Sequence, residues 1–390
     1  MSAKRVLFVS NGHGEAAIAA RIAQDLHERL PNADFDHLAL VGDFAQTSEM
    51  HDVGPRRPMP SGGLLAMGNV PNIVADVRGG LLGLTVAQWR FLRAARGRYD
   101  AVLAVGDTLA LMMALTAKAP TYFVGTAKSV YVAPYGPFEE RVLRRAAAVF
   151  VRDRATAERL TGRGVPATAP GNVIVDLFAV PDDPRADAAF ADFAPAIVLF
   201  PGSRQEAYGD AVVLLAVVRE LALTRPQLGA VVSIAPCLDA ARYAREFANA
   251  GWTVVPGSDP QPLDLRDGER TIARAWNGSI GPLLRRATLV IGQAGTANEA
   301  AAAAGVPVAA LELAAARKTQ WYRMRQQGLL GSALDLVSGD AHAAAVEIGE
   351  LLDDVERRTR MGAIGRERMG RPGGAAAVAR HVAAALGAGT

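Results

Sequence analysis

The chain has 390 residues, half of them hydrophobic and 21 % charged, with a formal net charge of +3. That length exceeds one ordinary domain and suggests two, each able to bury its own core. The small net charge, despite a sequence pI of 9.2, argues against a nucleic-acid partner. The single cysteine, Cys237, excludes an intrachain disulfide and fits a reducing, cytoplasmic setting. No apolar run reaches the roughly 20 residues that span a bilayer, and residues 6–9, after Lys4-Arg5, are far too short for a signal peptide.

Residues 6–9 read as a buried strand, and 15–30 as a helix with Ile18, Ile22 and Leu26 on one face. Strands are expected at 37–41, at 101–105 before Gly106-Asp107, and at 121–125, 148–152 and 167–169. Residues 173–195 hold Pro181, Pro184 and Pro195 among aspartates and read as a linker. The alternation then restarts, with strands at 197–200, 230–235, 252–255, 289–291 and 308–311 and helices at 210–223 and 240–250. From Val346 the chain reads as helical, with a break at Arg371-Pro372-Gly373-Gly374. This predicts an α/β protein of two doubly wound Rossmann-like domains facing a central cleft, ligands lying at the carboxyl ends of the strands. The expected boundaries are 1–178 and 179–368, with a helix at 369–390 that crosses back to the first domain.

Three glycine-rich turns follow predicted strands: Asn11-Gly12-His13-Gly14-Glu15, Gly202-Ser203-Arg204 and Gly292-Gln293-Ala294-Gly295-Thr296-Ala297-Asn298-Glu299. Such a turn brings free backbone N–H groups and the positive end of a helix to one point, where an anion is held. Glu299 has two readings, a capping box with Thr296 or a ligand for a sugar hydroxyl. Asp107 ends a strand and reads as a helix cap or as a general base. His13, between two glycines, competes for the basic role, and Glu15 either orients it or starts the helix. Asp34-Phe35-Asp36 is a nominal Asp-x-Asp, but it lies far from any phosphate turn and is not expected to bind metal. Gly171, Asn172 and Asp176 read as a structural turn between domains, and Cys237 as incidental. Residues 58–92 mix apolar residues and glycines with Arg78, Trp89 and Arg90. They form either a loop and helix packed on the first sheet or an apolar, basic-edged surface for a membrane or lipid.

In their order these stretches, with Met59-Pro60-Ser61-Gly62-Gly63 and Pro170-Gly171-Asn172-Val173-Ile174-Val175-Asp176, resemble lipid-A-disaccharide synthase, and more closely the group of proteins related to it. The resemblance implies a GT-B glycosyltransferase whose first half binds the acceptor and whose second half binds a nucleotide sugar, usually a UDP-sugar. It implies inverting transfer to a lipid or lipid-linked acceptor, and peripheral attachment to the inner face of the cytoplasmic membrane. Gly202, Ser203, Arg204, Gly292, Gln293, Gly295, Thr296, Asn298, Glu299 and Gln320 would bind the donor, with Glu299 on the ribose and Gln320 near the sugar. Asp107, His13 and Glu15 would be the catalytic group, and Asn11, Gly12, Gly14, Ser61 and Gly62 the acceptor loops. No metal or other cofactor is expected, and Arg204, helped by Lys318, would stabilise the leaving diphosphate. The acceptor side departs from the synthase: Thr108-Leu109-Ala110 follows Asp107, where the synthase has Phe-Asn. A nucleotide-sugar 2-epimerase and a non-catalytic nucleotide-sugar-binding protein are the rival readings.

Overall fold

The computed structural model describes residues 3–41, 49–56, 80–313 and 317–387, the side chains of 13 and 317–322 excepted. It divides into two compact units, Met1–Leu177 with Gly370–Thr390, and Phe178–Met369. The helix after residue 369 therefore belongs to the first unit.

Among the described residues the first unit runs β1 (Arg5–Ser10), α1 (His13–His27), β2 (Asp34–Ala39), β3 (His51–Asp52), α2 (Leu81–Ala94), β4 (Ala101–Gly106), α3 (Thr108–Ala114), β5 (Thr121–Gly125), α4 (Pro137–Leu143), β6 (Ala148–Val151), α5 (Arg154–Thr161), β7 (Ala167–Thr168) and α6 (Val173–Asp176). The C-terminal helix, Gly374–Ala385, completes it. The strands form one parallel sheet in the order β3-β2-β1-β4-β5-β6-β7. Its central strands β1, β4, β5 and β6 are largely apolar because both faces of the sheet are covered there. Leu7, Val9, Leu38, Val102 and Ala104 meet Leu81, Leu84, Leu111 and Leu143 on one side. Val6, Phe8, Phe35, Leu103 and Val105 meet Ile18, Ile22 and Leu26 of α1 and Val378, Ala379 and Val382 of the C-terminal helix on the other.

Two backbone crossings are locked together in this unit. Asn172 N–H donates to the Arg371 carbonyl at 2.8 Å. The Asp176 carboxylate caps the C-terminal helix, accepting from Gly373 N–H and, at 2.6 Å, from Ala375 N–H. Gly171 and Gly374 lie backbone to backbone, with no room for a side chain on either.

His37 of β2 is 1 % exposed, with its ring Nε2 2.8 Å from Ser10 Oγ. Burial, aided by the Arg56 charge, holds its pKa down to about 4. The folded protein keeps the ring neutral, whereas the unfolded chain protonates it below about pH 6.5. The unfolded state then binds more protons, so stability falls as the pH drops from about 6.5 towards 4, by about 3 kcal/mol for this group. His37→Gln should remove that part of the pH dependence. Urea midpoints of both proteins at pH 7 and 4.5 test this, and an unchanged slope would refute it.

The second unit runs α7 (Arg185–Phe190), β8 (Ala196–Phe200), α8 (Ala207–Thr224), β9 (Gly229–Ser233), α9 (Ala240–Asn249), β10 (Thr253–Ser258), β11 (Gln261–Asp267), β12 (Arg270–Trp276), α10 (Ile280–Leu284), β13 (Leu289–Gly292), α11 (Thr296–Ala304), β14 (Val308–Glu312), α12 (Arg317–Leu330), β15 (Leu334–Ser338), α13 (Ala341–Asp353) and α14 (Val355–Met369). The sheet order is β10-β11-β12-β9-β8-β13-β14-β15. Six neighbouring strands, β12 to β15 in that order, are parallel. At one edge β10, β11 and β12 form an antiparallel meander that corrects the purely parallel expectation. Leu263 and Leu265 turn inward from β11 while Asp264 and Arg266 between and beside them stay partly exposed, the alternation of a strand wet on one face. The linker expected at 173–195 contains α6 and α7 and so is partly helical.

Candidate phosphate and carboxylate sites

In the second sheet the strand order reverses between β8 and β13, and the glycine turns that end these two strands lie side by side. Open α/β sheets bind ligands at such a switch point. Gln293 and Ala294 N–H both donate to the Phe200 carbonyl, at 2.8 and 3.1 Å, and tie one turn to the other. Gly202 takes φ +122°, a conformation that favours glycine. Arg204 follows on the surface, and among the described residues its guanidinium makes no hydrogen bond or ion pair.

Helix α11 starts with Gly295 as its N-cap and has no side-chain cap. The capping-box reading is thereby corrected, because Thr296 is already the first helical residue and sits outside the cap position. The first-turn N–H groups of Thr296, Ala297 and Asn298 have no partner within the helix. They present positive charge at the turn, and Gly295 and Thr296 are exposed there. Glu299, half-buried in the same first turn, adds a carboxylate beside them.

Not every residue expected to bind the donor faces solvent. The Asn298 side chain is fully buried, and its Nδ2 donates to the Gly292 carbonyl at 3.0 Å. A methyl group on Gly292 would collide with the Asn298 amide. Asn298 is therefore a support of the turn, which corrects the ligand role expected for its side chain. Gln293 likewise spends its amide on the Leu311 carbonyl at 3.2 Å. Two residues missed in the sequence, Arg323 and Gln326 of α12, hold the same turn. Arg323 Nη1 donates to the Gly292 carbonyl at 3.3 Å, and Gln326 Nε2 to the carbonyls of Ala294 and Gly295 at 3.0 and 3.1 Å. No glycine or periodicity signal marks them, because they act from a distant helix. Gln320 and Lys318 lie in α12 with side chains outside the described residues.

In the first sheet the order reverses between β1 and β4, and three of the expected residues gather there. Asn11 Nδ2 donates to Asp107 Oδ2 at 2.9 Å, while Asp107 Oδ1 caps α3 by accepting from Ala110 N–H at 3.1 Å. The cap reading of Asp107 is thus realised, and both of its oxygens are engaged. Glu15 lies across both strand ends. Its carboxylate packs on Gly12 and its stem on Gly106, two glycines with φ of +132° and +130°, and it accepts from Thr126 Oγ1 at 3.3 Å. Asn11 is 7 % exposed, and its Oδ1 has no donor among the described residues. A buried acceptor left unpaired costs about 1–3 kcal/mol, which a ligand hydroxyl would recover. Gly14 is exposed at the start of α1. The His13 side chain, Ser61 and Gly62 lie outside the described residues.

In Asp34-Phe35-Asp36 the Asp36 carboxylate is engaged within the protein, accepting from Tyr99 Oη at 2.7 Å and from Arg5 at 3.2 Å. Among the described residues no cluster of three or more His, Cys, Asp or Glu is arranged to hold a metal ion. A cleft of about 540 Å³ in the second unit is lined by Val180–Asp183, Arg185, Gly278, Ser279 and Pro282, none of which belongs to the glycine turns. It is bordered by the Asp182–Arg285 and Asp182–Arg286 ion pairs.

The described part of 58–92 is mostly α2. It buries Leu81, Leu84, Gln88 and Leu92 and leaves Leu82, Val86 and Trp89, spaced along one helical face, 65, 48 and 40 % exposed. Leu109 and Met112 of α3 and Phe138 of α4 are exposed on the neighbouring helices. Arg90, Arg93 and Arg96 edge this face, Arg93 sitting 5.2 Å from the Trp89 ring centre. No described helix is long and apolar enough to cross a membrane.

No protein-family model and no curated protein matches the sequence. Solved structures do. UDP-GlcNAc 2-epimerase from Neisseria meningitidis, bound to UDP-GlcNAc, is similar with a TM-score of 0.56 at 13 % identity, over 97 % of this chain and 99 % of that one. CalG4, the calicheamicin glycosyltransferase, gives 0.61 at 15 % over 99 % of both chains. MurG of Acinetobacter baumannii gives 0.56 at 15 % over 97 and 99 %. At this identity the likeness establishes the fold: two Rossmann-like α/β units of the GT-B kind.

Proposed function

We propose that the protein is a glycosyltransferase that moves a sugar from a nucleoside-diphosphate donor, UDP in the first instance, to a lipid or lipid-linked acceptor. The observation that carries this reading is the pair of glycine turns at the switch point of the second sheet, with the uncapped start of α11 and unpaired Arg204. As the bond from the sugar to the diphosphate breaks, the leaving group gains negative charge. The helix end and Arg204 stabilise it there without a metal ion. Glu299 takes a ribose hydroxyl, and Gln320 lies near the sugar. In the first unit a carboxylate removes the proton from the attacking acceptor hydroxyl, and Asn11 receives a ligand hydroxyl. The exposed face of α2 and its neighbours, edged by arginines, suits a lipid acceptor at the inner face of the cytoplasmic membrane.

Calorimetric titration with UDP, GDP and dTDP tests the donor site. One of them should bind wild type, and Glu299→Ala should bind it at least tenfold more weakly. EDTA should leave transfer intact. Absence of binding by all three would refute the reading.

Nucleotide-sugar 2-epimerisation is the second reading, favoured by the two carboxylates, Glu15 and Asp107, at one switch point. An epimerase converts UDP-GlcNAc alone, whereas a transferase needs an acceptor and a non-catalytic binding protein shows no turnover. Proton NMR of UDP-GlcNAc, with and without lipid acceptor, separates the three.

A further inference from the structure

The turn 292–295 is held from behind by a small polar network. Arg323 Nη1 donates to the Gly292 carbonyl and, at 3.2 Å, to Gln326 Oε1, which also accepts from Asn298 Nδ2 at 3.3 Å. Gln326 in turn donates to the next two carbonyls that point the same way, Ala294 and Gly295. The Gln293 and Ala294 N–H groups are bound to Phe200, so the turn is fixed on its carbonyl side and on its first two amides. Arg323 is 9 % exposed. Its burial disfavours the charge, and the Asp210 carboxylate in the first turns of α8 works in the opposite direction. A buried guanidinium spent on one backbone carbonyl and one side-chain amide is costly to keep for packing alone.

We propose that Arg323 and Gln326 are positioning residues of the anion site, keeping the Gly292, Ala294 and Gly295 carbonyls turned away so that the Thr296–Asn298 amides face a diphosphate. This rests on the nucleotide reading above. Freed from the clamp, the Ala294–Gly295 peptide unit can rotate, since its neighbours stay tied through Gln293 N–H to Phe200 and through the Gly295 carbonyl to Glu299 N–H; rotation turns its carbonyl oxygen towards the phosphate and withdraws the Gly295 N–H. The loss falls on the diphosphate and spares the nucleoside, because the clamped atoms belong only to the phosphate turn.

The test measures UDP and uridine affinities of the full chain for wild type, Arg323→Met, Arg323→Lys and Gln326→Leu. Arg323→Met should weaken UDP at least tenfold and leave uridine unchanged. Arg323→Lys, which keeps the charge and a donor for Gly292, should recover most of the loss. Gln326→Leu removes the two hydrogen bonds to the Ala294 and Gly295 carbonyls and the two that its Oε1 accepts, while Arg323 keeps its bond to the Gly292 carbonyl, so it decides the matter if Arg323→Met fails to fold. It should weaken UDP about threefold to tenfold with uridine unchanged. Equal loss of UDP and uridine, or no loss in either variant, overturns the positioning role while the nucleotide reading stands. A wild type that binds none of UDP, GDP and dTDP overturns that reading itself.

Discussion

Replacing Glu15 with glutamine should lower turnover by about a hundred- to ten-thousand-fold, the range expected when a general base is removed. Glu15 spans the ends of β1 and β4 and rests on Gly12 and Gly106, which fixes its carboxylate at the switch point. Glutamine keeps the shape and can still accept from Thr126 Oγ1, so the loss isolates the proton-accepting oxygen. Nucleotide binding in the second unit should not change. Asp107→Asn should cost turnover less than tenfold, because both oxygens of Asp107 already serve Ala110 N–H and Asn11 Nδ2. Its stability should change by less than about 1 kcal/mol, because asparagine caps a helix start as well as aspartate does. Steady-state rates and thermal midpoints of the two variants check both statements. The reverse ranking would give the basic role to Asp107, and a large loss in neither would leave His13.

Gly374→Ala should destabilise the first unit by about 3 kcal/mol, at the upper end of the cost of forcing extra atoms into a packed site. A methyl group there meets the Gly171 carbonyl carbon and oxygen and the Val173 nitrogen, all within 2.9 Å. These are backbone atoms of a chain crossing already tied by Asn172 and Asp176, so no flexible side chain can yield. In a unit of this size the thermal midpoint should fall by roughly 6–12 °C. Calorimetry should show that shift in one transition, with the transition of the second unit unmoved. A variant that melts like wild type would show that the crossing adapts.

Much of the fold was legible because its signals are local. Short apolar runs such as 101–105 and 121–125, recurring between helical stretches, read as buried parallel strands, and glycines at their ends mark where the chain turns. Within the meander β10 was expected at 252–255, but β11 and β12 escaped because they carry charged residues on their wet face and resemble loop sequence. The site was half legible. Turns announce themselves by glycine, but a side chain's direction is set by tertiary packing. Asn298 sits beside exposed Thr296 and yet faces the core, while Arg323 and Gln326 reach the same turn from a helix some thirty residues onward. Thr296 and Glu299 carried the spacing of a capping box, but the helix began one residue early, and the box could not form.

The helix Gly374–Ala385 closes the core of a unit whose other strands and helices all precede residue 178. On the ribosome the two units are therefore finished in the reverse of the order in which they are begun. The second emerges whole, while the first waits for a helix encoded after it, for roughly 10–40 s at ordinary elongation rates. Throughout that interval the side of the first sheet bearing Val6, Phe8 and Phe35 lacks its cover of Val378, Ala379 and Val382. An incomplete sheet with one apolar face open is the form of this protein most exposed to aggregation and to capture by chaperones.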